Sequence, residues 1–227
     1  MGLKWNLCLL FFATICCIDA QAQIPATKPH KIRLEGPAQG TQFHITYFAS
    51  DSLVRRSEVD SILTAIDLSM SIYRKDSRIS KFNTDTVMSV VMDSHMAKVI
   101  NASFKYHKLS KGQFDITIAP LVNLWGFGAN KSPVAPDSAT VRKAKELVGM
   151  HYLKVSGNRL IKKKQGIKID VNGIAQGYTV DVLADYLERK GIANYMVEVG
   201  GEIRALGTPP GGHGFSIGIV QPDGESG

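Results

Sequence analysis

The thirteen residues IDVNGIAQGYTVD at 169–181 constrain this chain more than any other stretch. Ile167, Ile169 and Val171 alternate as a strand should, and a turn carrying Asp170, Asn172 and Gly173 runs straight into a helical pattern. Gly173 and Gly177 leave the first helical turn bare of bulky side chains, so its unpaired backbone N–H groups could face an anion. Asp170 and Asp181 add carboxylates, which beside a pyrophosphate make sense only with a divalent cation between them. From the pattern alone, an ordinary strand–turn–helix is the default reading and a phosphate cradle the alternative. Neither a G-x-x-x-x-G-K-[ST] loop nor a well-placed G-x-G-x-x-G occurs, which argues against the two standard nucleotide folds.

Around this stretch the pattern predicts mixed helices and antiparallel strands. Ile32–Glu35 and Phe43–Phe48 read as strands flanking a turn at 36–40. Val59, Ile62, Leu63, Ile66 and Met70 recur at helical spacing over 57–73, with Ser57 as the expected cap. A second helix is expected over 94–110, stopped by Gly112, and a third over 137–148, capped by Asp137. Residues 152–155, 159–162 and 167–171 read as a meander, followed by a helix over 173–190. Strands are expected at 195–199, 202–206 and 215–220. Without regular βαβ alternation, the fold class is α+β.

The N-terminus reads as a secretory signal over residues 1–22. Lys4 precedes an apolar run from Leu7 to Ile18, too short for the roughly 20 residues that cross a bilayer, and Ala20-Gln21-Ala22 offers a cleavage site. All three cysteines, Cys8, Cys16 and Cys17, lie in that run, so cleavage removes every thiol. A lipid anchor on Cys16 or Cys17 is the rival reading. Residues 23–31 are expected to form a flexible arm. The formal charge of +7 is spread along the chain rather than clustered. It reads as solubility with mild attraction for a phosphate ligand, not as a nucleic-acid surface. Lys162–Lys164 reads as a solvated strand edge, and the six histidines show no metal-ligand spacing.

Five segments in order carry a resemblance. They are Gln39-Gly40-Thr41, the run SIYRKDSRISKFN at 71–83, GQFDITIAPLVNLWGFG at 112–128, the 169–181 stretch, and VEVGGEIRALG at 197–207. Together they resemble the ApbE family, the FAD:protein FMN transferases. The resemblance implies a single ApbE-like (T-fold-like) α+β domain over 32–227, with mixed and antiparallel sheets and packed helices. It also implies a further C-terminal segment with a His-containing Asp-Pro-x-Thr-Gly motif and acidic metal ligands, so the chain is expected to be incomplete.

The resemblance implies Mg²⁺-dependent transfer of FMN from FAD to a Thr or Ser hydroxyl of a partner flavoprotein, with AMP leaving. Hydrolysis of FAD to FMN and AMP, or FAD binding without turnover, are the alternatives. Export implies a periplasmic location, with membrane association only through a partner or a lipid anchor. Residues implied to contact the cofactor are Gln39, Tyr73, Gln113, Phe114, Asp115, Asp170 and Gln176, with backbone at Gly173 and Ala175 toward the metal. No catalytic residue is assigned. Gln39 stands where many relatives have Met, and Gln176 where Lys or Glu is commoner. Arg74, Asp76, Ser77 and Asn83 are expected to fix a local turn. Asp115 could instead cap the next segment, Tyr73 could instead be buried in the core, and Trp125 is expected to anchor it.

Overall fold

The computed structural model describes residues 28–128 and 134–218. The expected signal segment, most of the arm and residues 219–220 of the last expected strand lie outside them. Two antiparallel sheets and two apolar cores organise the rest. The larger sheet has the order β1-β2-β6-β7, from β1 (His30–Ala38), β2 (Thr41–Ala49), β6 (Tyr195–Val199) and β7 (Glu202–Leu206). Alternation on its central strands sends Phe43, Ile45 and Tyr47 of β2 and Tyr195, Val197 and Val199 of β6 to one buried face. Helices α1 (Arg56–Met70) and α6 (Asn172–Arg189) cover that face with Val59, Leu63, Val180, Leu183, Ala184 and Leu187.

The smaller sheet has the order β3-β5-β4, from β3 (Ser89–Val91), β4 (Leu153–Ser156) and β5 (Arg159–Lys162). Its core takes the far end of α1, α2 (Arg78–Phe82), α3 (Ser94–Leu109) and the run Ile167–Val171. Ile62 touches both cores, so α1 welds them together. Two shorter helices, α4 (Ala119–Leu124) and α5 (Ser138–Lys145), lie outside; α5 buries none of its residues and keeps the expected Asp137 cap, which accepts from Thr140 N–H at 2.7 Å. Among the described residues no helix is long and apolar enough to cross a membrane.

Several expectations shift. The arm ends earlier than expected, because His30 and Lys31 already pair with Ala49 and Phe48. The first turn is only Gln39-Gly40, both at positive φ, and Gly36 and Pro37 belong to β1. Ser57 does not cap α1; the Glu58 carboxylate accepts from Arg55 N–H instead, at 2.8 Å. The meander's third strand is β3, which pairs with β5 through Ser89↔Ile161. Residues 167–171 join no sheet among the described residues: Asn83 holds Ile169 from both sides, accepting from its N–H and donating to its carbonyl, each at 2.8 Å. Asp170 N–H donates to Ile116 O at 2.7 Å. Side-chain pairing thus replaces a strand partner, which alternation alone cannot foresee.

Residues 215–218 form no strand. Trp125 is half exposed rather than a core anchor. Lys162 is not a solvated edge. It is buried, with Nζ donating to Thr84 O at 3.0 Å and lying 4.7 Å from the Phe82 ring centroid.

Candidate functional site

Both hairpin turns of the larger sheet, Gln39-Gly40 and Gly200-Gly201, lie at one end of it. Gly200 N–H donates to Gln42 O at 3.2 Å, which ties them side by side. The start of α6 reaches the same end. A Cβ on Gly200 would lie 2.6 Å from Gln176 Nε2 and 2.8 Å from Thr41 Cγ2, so that position admits only glycine without rearrangement. Its φ of +58 demands glycine for a second reason.

This end encloses a cavity of about 340 Å³, lined by Gln39, Gly40, Ile66, Asp67, Met70, Ser71, Tyr73, Asn172, Ala175 and Gln176. Tyr73 also lines an adjoining cleft of about 560 Å³ with Lys75, Asn83, Asn123, Lys168 and Asp170. The residue is 60% exposed, so it is a partition between two hollows and not a core residue. It sits in the loop after α1, where Ser71 breaks the helix with extended backbone. The neighbouring residues hold that loop, as expected: Arg74 forms a two-bonded pair with Asp76, and Ser77 caps α2 while donating to Ser71 O.

Spacing along α6 divides the remaining expected residues. Asn172, Ala175 and Gln176 share one face, toward Gln39 and Tyr73. Gly173 and Ile174 face the opposite way, toward Tyr106, Leu109 and Phe114, in a shallow apolar hollow of about 360 Å³. Phe114 adjoins Gly173, since a Cβ there would lie 3.8 Å from its ring. Gln113 is exposed and Asp115 lines none of these hollows. The Asp115 carboxylate is occupied by structure: it accepts from Thr117 N–H and from Met150 N–H, at 2.8 and 3.1 Å, fulfilling the capping alternative. The expected set therefore assembles in part, with Gln39, Tyr73, Ala175 and Gln176 around one cavity, Asp170 next door and Phe114 with Gly173 behind the helix.

Electrostatics at the helix start are not those of a simple phosphate cradle. Asn172 N–H already donates to Asp170 Oδ1 at 2.8 Å, while Ile174 and Ala175 N–H turn back to Val171 O. Among the described residues, Gly173 N–H alone is left open there. Burial pushes the Asp170 carboxyl above the usual carboxylate range, partly opposed by the Asn172 N–H. Asp67 is raised likewise by burial, with Arg74 opposing. Asp181 does not meet Asp170; it lies more than two turns up α6 and pairs with Arg204 at 3.1 Å.

The described residues do not by themselves fit a divalent cation. They contain no cluster of three His, Cys, Asp or Glu. The Ala175 carbonyl accepts the Thr179 hydroxyl at 2.8 Å, and Asp170 has one oxygen engaged. Sequence reasoning missed Asp67, Ser71 and Thr179 at this site. One signal for Asp67 was available: a carboxylate in the last turn of a helix opposes the helix dipole, so something other than helix stability keeps it there.

The fold thus defines an α+β domain with a hollow among the Gln39-Gly40 hairpin turn, the end of α1 and the start of α6. Residues 39–226 match the model of the ApbE family. The chain belongs to that family. It is 37% identical over 209 residues to the FAD:protein FMN transferase of Vibrio cholerae, covering 89% of this chain and 62% of that protein. Against the enzyme of the same name from Haemophilus influenzae the identity is 35% over 205 residues, with 84% and 59% covered. The chain therefore spans about three fifths of the length of these curated relatives. Among solved structures it resembles the flavin transferase ApbE of Vibrio cholerae (TM-score 0.81, 36% identity, 87% of this chain and 66% of that one). It also resembles the apo flavinyl transferase ApbE of Pseudomonas stutzeri (TM-score 0.78, 31% identity, 85% and 66%).

Proposed function

We propose that the protein transfers FMN from FAD to a Thr or Ser hydroxyl of a partner flavoprotein, with Mg²⁺ and with AMP as the leaving group. The observation that carries the reading is the cavity of an ApbE-family fold in which Gln39, Tyr73 and Gln176, drawn from three distant segments, share one wall. In the transfer, the acceptor oxygen bonds to the FMN phosphorus and the bond to the bridging oxygen breaks. AMP departs with that oxygen, and the hydroxyl proton passes to a base or to solvent.

The described residues supply binding and orientation. Tyr73 offers an exposed aromatic face for a ring of the dinucleotide. Gln39 and Gln176 offer neutral amides, and Lys75 and Lys168 border the adjoining cleft where phosphates would gain from positive charge. When bound, the cation would neutralise charge on the pyrophosphate. Its carboxylate ligands would have to come from outside the described residues. Export through residues 1–22 to the periplasm belongs to the same proposal, with a lipid anchor at Cys16 or Cys17 as the alternative.

Incubation of the full-length protein with FAD, Mg²⁺ and a candidate acceptor tests the reaction. Flavin bound covalently to the acceptor, with one AMP per flavin, is the expected result. Free FMN with AMP would assign FAD hydrolysis instead. Tight FAD binding without AMP would assign a binding protein.

A further inference from the structure

Gln39 is an unusual choice for its position. It is the first of two residues in a tight hairpin turn and holds a φ of +51, a conformation that favours Gly, Asn or Asp. Turn formation therefore does not explain it. Its side chain instead crosses to α6, where Nε2 donates to Thr179 Oγ1 at 2.7 Å. The Thr179 hydroxyl donates its own proton to Ala175 O and so can only accept from Gln39. That network fixes the amide orientation and leaves Oε1 as the free end. Oε1 is buried and has no hydrogen-bond partner. An unpaired buried carbonyl oxygen is unfavourable, and so is the backbone strain beneath it. Both persist in a residue that lines the cavity.

The neighbour best placed to give way is Gln176. It lines the same cavity, touches the Gly200 turn beside Thr41, and has no side-chain hydrogen bond among the described residues.

We propose that Gln39 is a specificity-determining residue whose Oε1 accepts a hydrogen bond from an N–H or O–H donor of the bound nucleotide, with the Gln176 amide moving aside to admit that donor and hydrogen-bonding the same edge. The inference rests on the flavin-nucleotide reading of the cavity. The donor belongs either to the adenosine half, as an exocyclic amine or ribose hydroxyl, or to the flavin half, as the ring imide or a ribityl hydroxyl.

The test uses the full chain and its Gln39→Met and Thr179→Val variants, titrated with FAD, AMP, IMP and FMN and melted without ligand. Gln39→Met removes the unpaired oxygen along with one hydrogen bond. The free protein should then melt at or above the wild-type midpoint while FAD affinity falls about three- to tenfold. Thr179→Val, which frees the amide to turn, should lose part of that affinity. A loss confined to AMP places the donor on the adenosine half, and wild-type discrimination against IMP that vanishes in Gln39→Met identifies the exocyclic amine. A loss confined to FMN places it on the flavin half. Unchanged affinity of both variants for every nucleotide would overturn the inference and leave the functional reading standing. A wild-type protein that binds none of the four would overturn the functional reading and this inference together.

Discussion

Lys162 brings an ammonium group into an apolar shell, against the Phe82 ring and with Thr84 O as its hydrogen-bond acceptor. Burial pulls its pKa from 10.5 down to about 8, with Asp85 opposing and Lys168 reinforcing the shift. Below about pH 8 the amine is protonated in folded and unfolded chains alike, and the burial cost is present in full. Between there and 10.5 only the folded chain has shed the proton, so this group's contribution to stability rises with pH. Urea unfolding of wild type and Lys162→Met should show a stability difference that moves in favour of wild type by about 1–3 kcal/mol from pH 7.5 to 10. A difference that stays flat would contradict the burial. Asp170 has the opposite sign. Its raised pKa means that its contribution is full below 3.8 and is lost as pH climbs through the folded value. At pH 7 the charged carboxylate costs stability. Asp170→Asn keeps an acceptor for Asn172 N–H, so it should melt at or above wild type while binding FAD more weakly; a lower midpoint would show that the charge is structural.

Among the elements, the run Ile167–Val171 shows most clearly what local pattern can and cannot give. Ile167, Ile169 and Val171 are all buried, as alternation predicts, but so is Asp170, and among the described residues no strand lies beside the run. Asn83 closes the gap with two bonds to the backbone of Ile169. Asn83→Ala should strand both groups and lower the unfolding free energy by about 2–4 kcal/mol in a denaturant melt. A loss under 1 kcal/mol would mean that water or a neighbour takes over. The helices α1, α3 and α6 were legible because their apolar residues recur at three- and four-residue spacing and must pack somewhere. The two β-hairpins of the larger sheet were legible from two-residue alternation flanking glycine-containing turns. Lys162 and Trp125 were not. A lysine is buried or solvated according to what packs over it, and a tryptophan's burial depends on elements distant in sequence. The cavity was legible only through the ordered family segments. Pattern placed Gln39, Tyr73 and Gln176 on three separate elements, and only their assembly puts them on one wall.

Across the whole molecule, α6 is the divider. One face of its first turns belongs to the cavity of Gln39 and Tyr73. Another face, with Gly177, Tyr178 and Asp181, lines a separate hollow of about 390 Å³ bordered by Lys98 of α3 and Arg204 of β7. Arg204 binds Asp181, Asp185 and Glu188 along the helix, so that side is held together by its own ion pairs. Under the proposed function, flavin nucleotide binds on the Tyr73 side of α6. The most direct measurement is the FAD affinity of the full chain carrying Tyr73→Ala or, separately, Lys98→Met, an exposed substitution on the far side of α6. Tyr73→Ala should lose on the order of 1–3 kcal/mol of binding, by analogy with base–aromatic stacking, and Lys98→Met should bind as wild type does. Undiminished binding in Tyr73→Ala together with a loss in Lys98→Met would place the nucleotide across the helix and contradict the account.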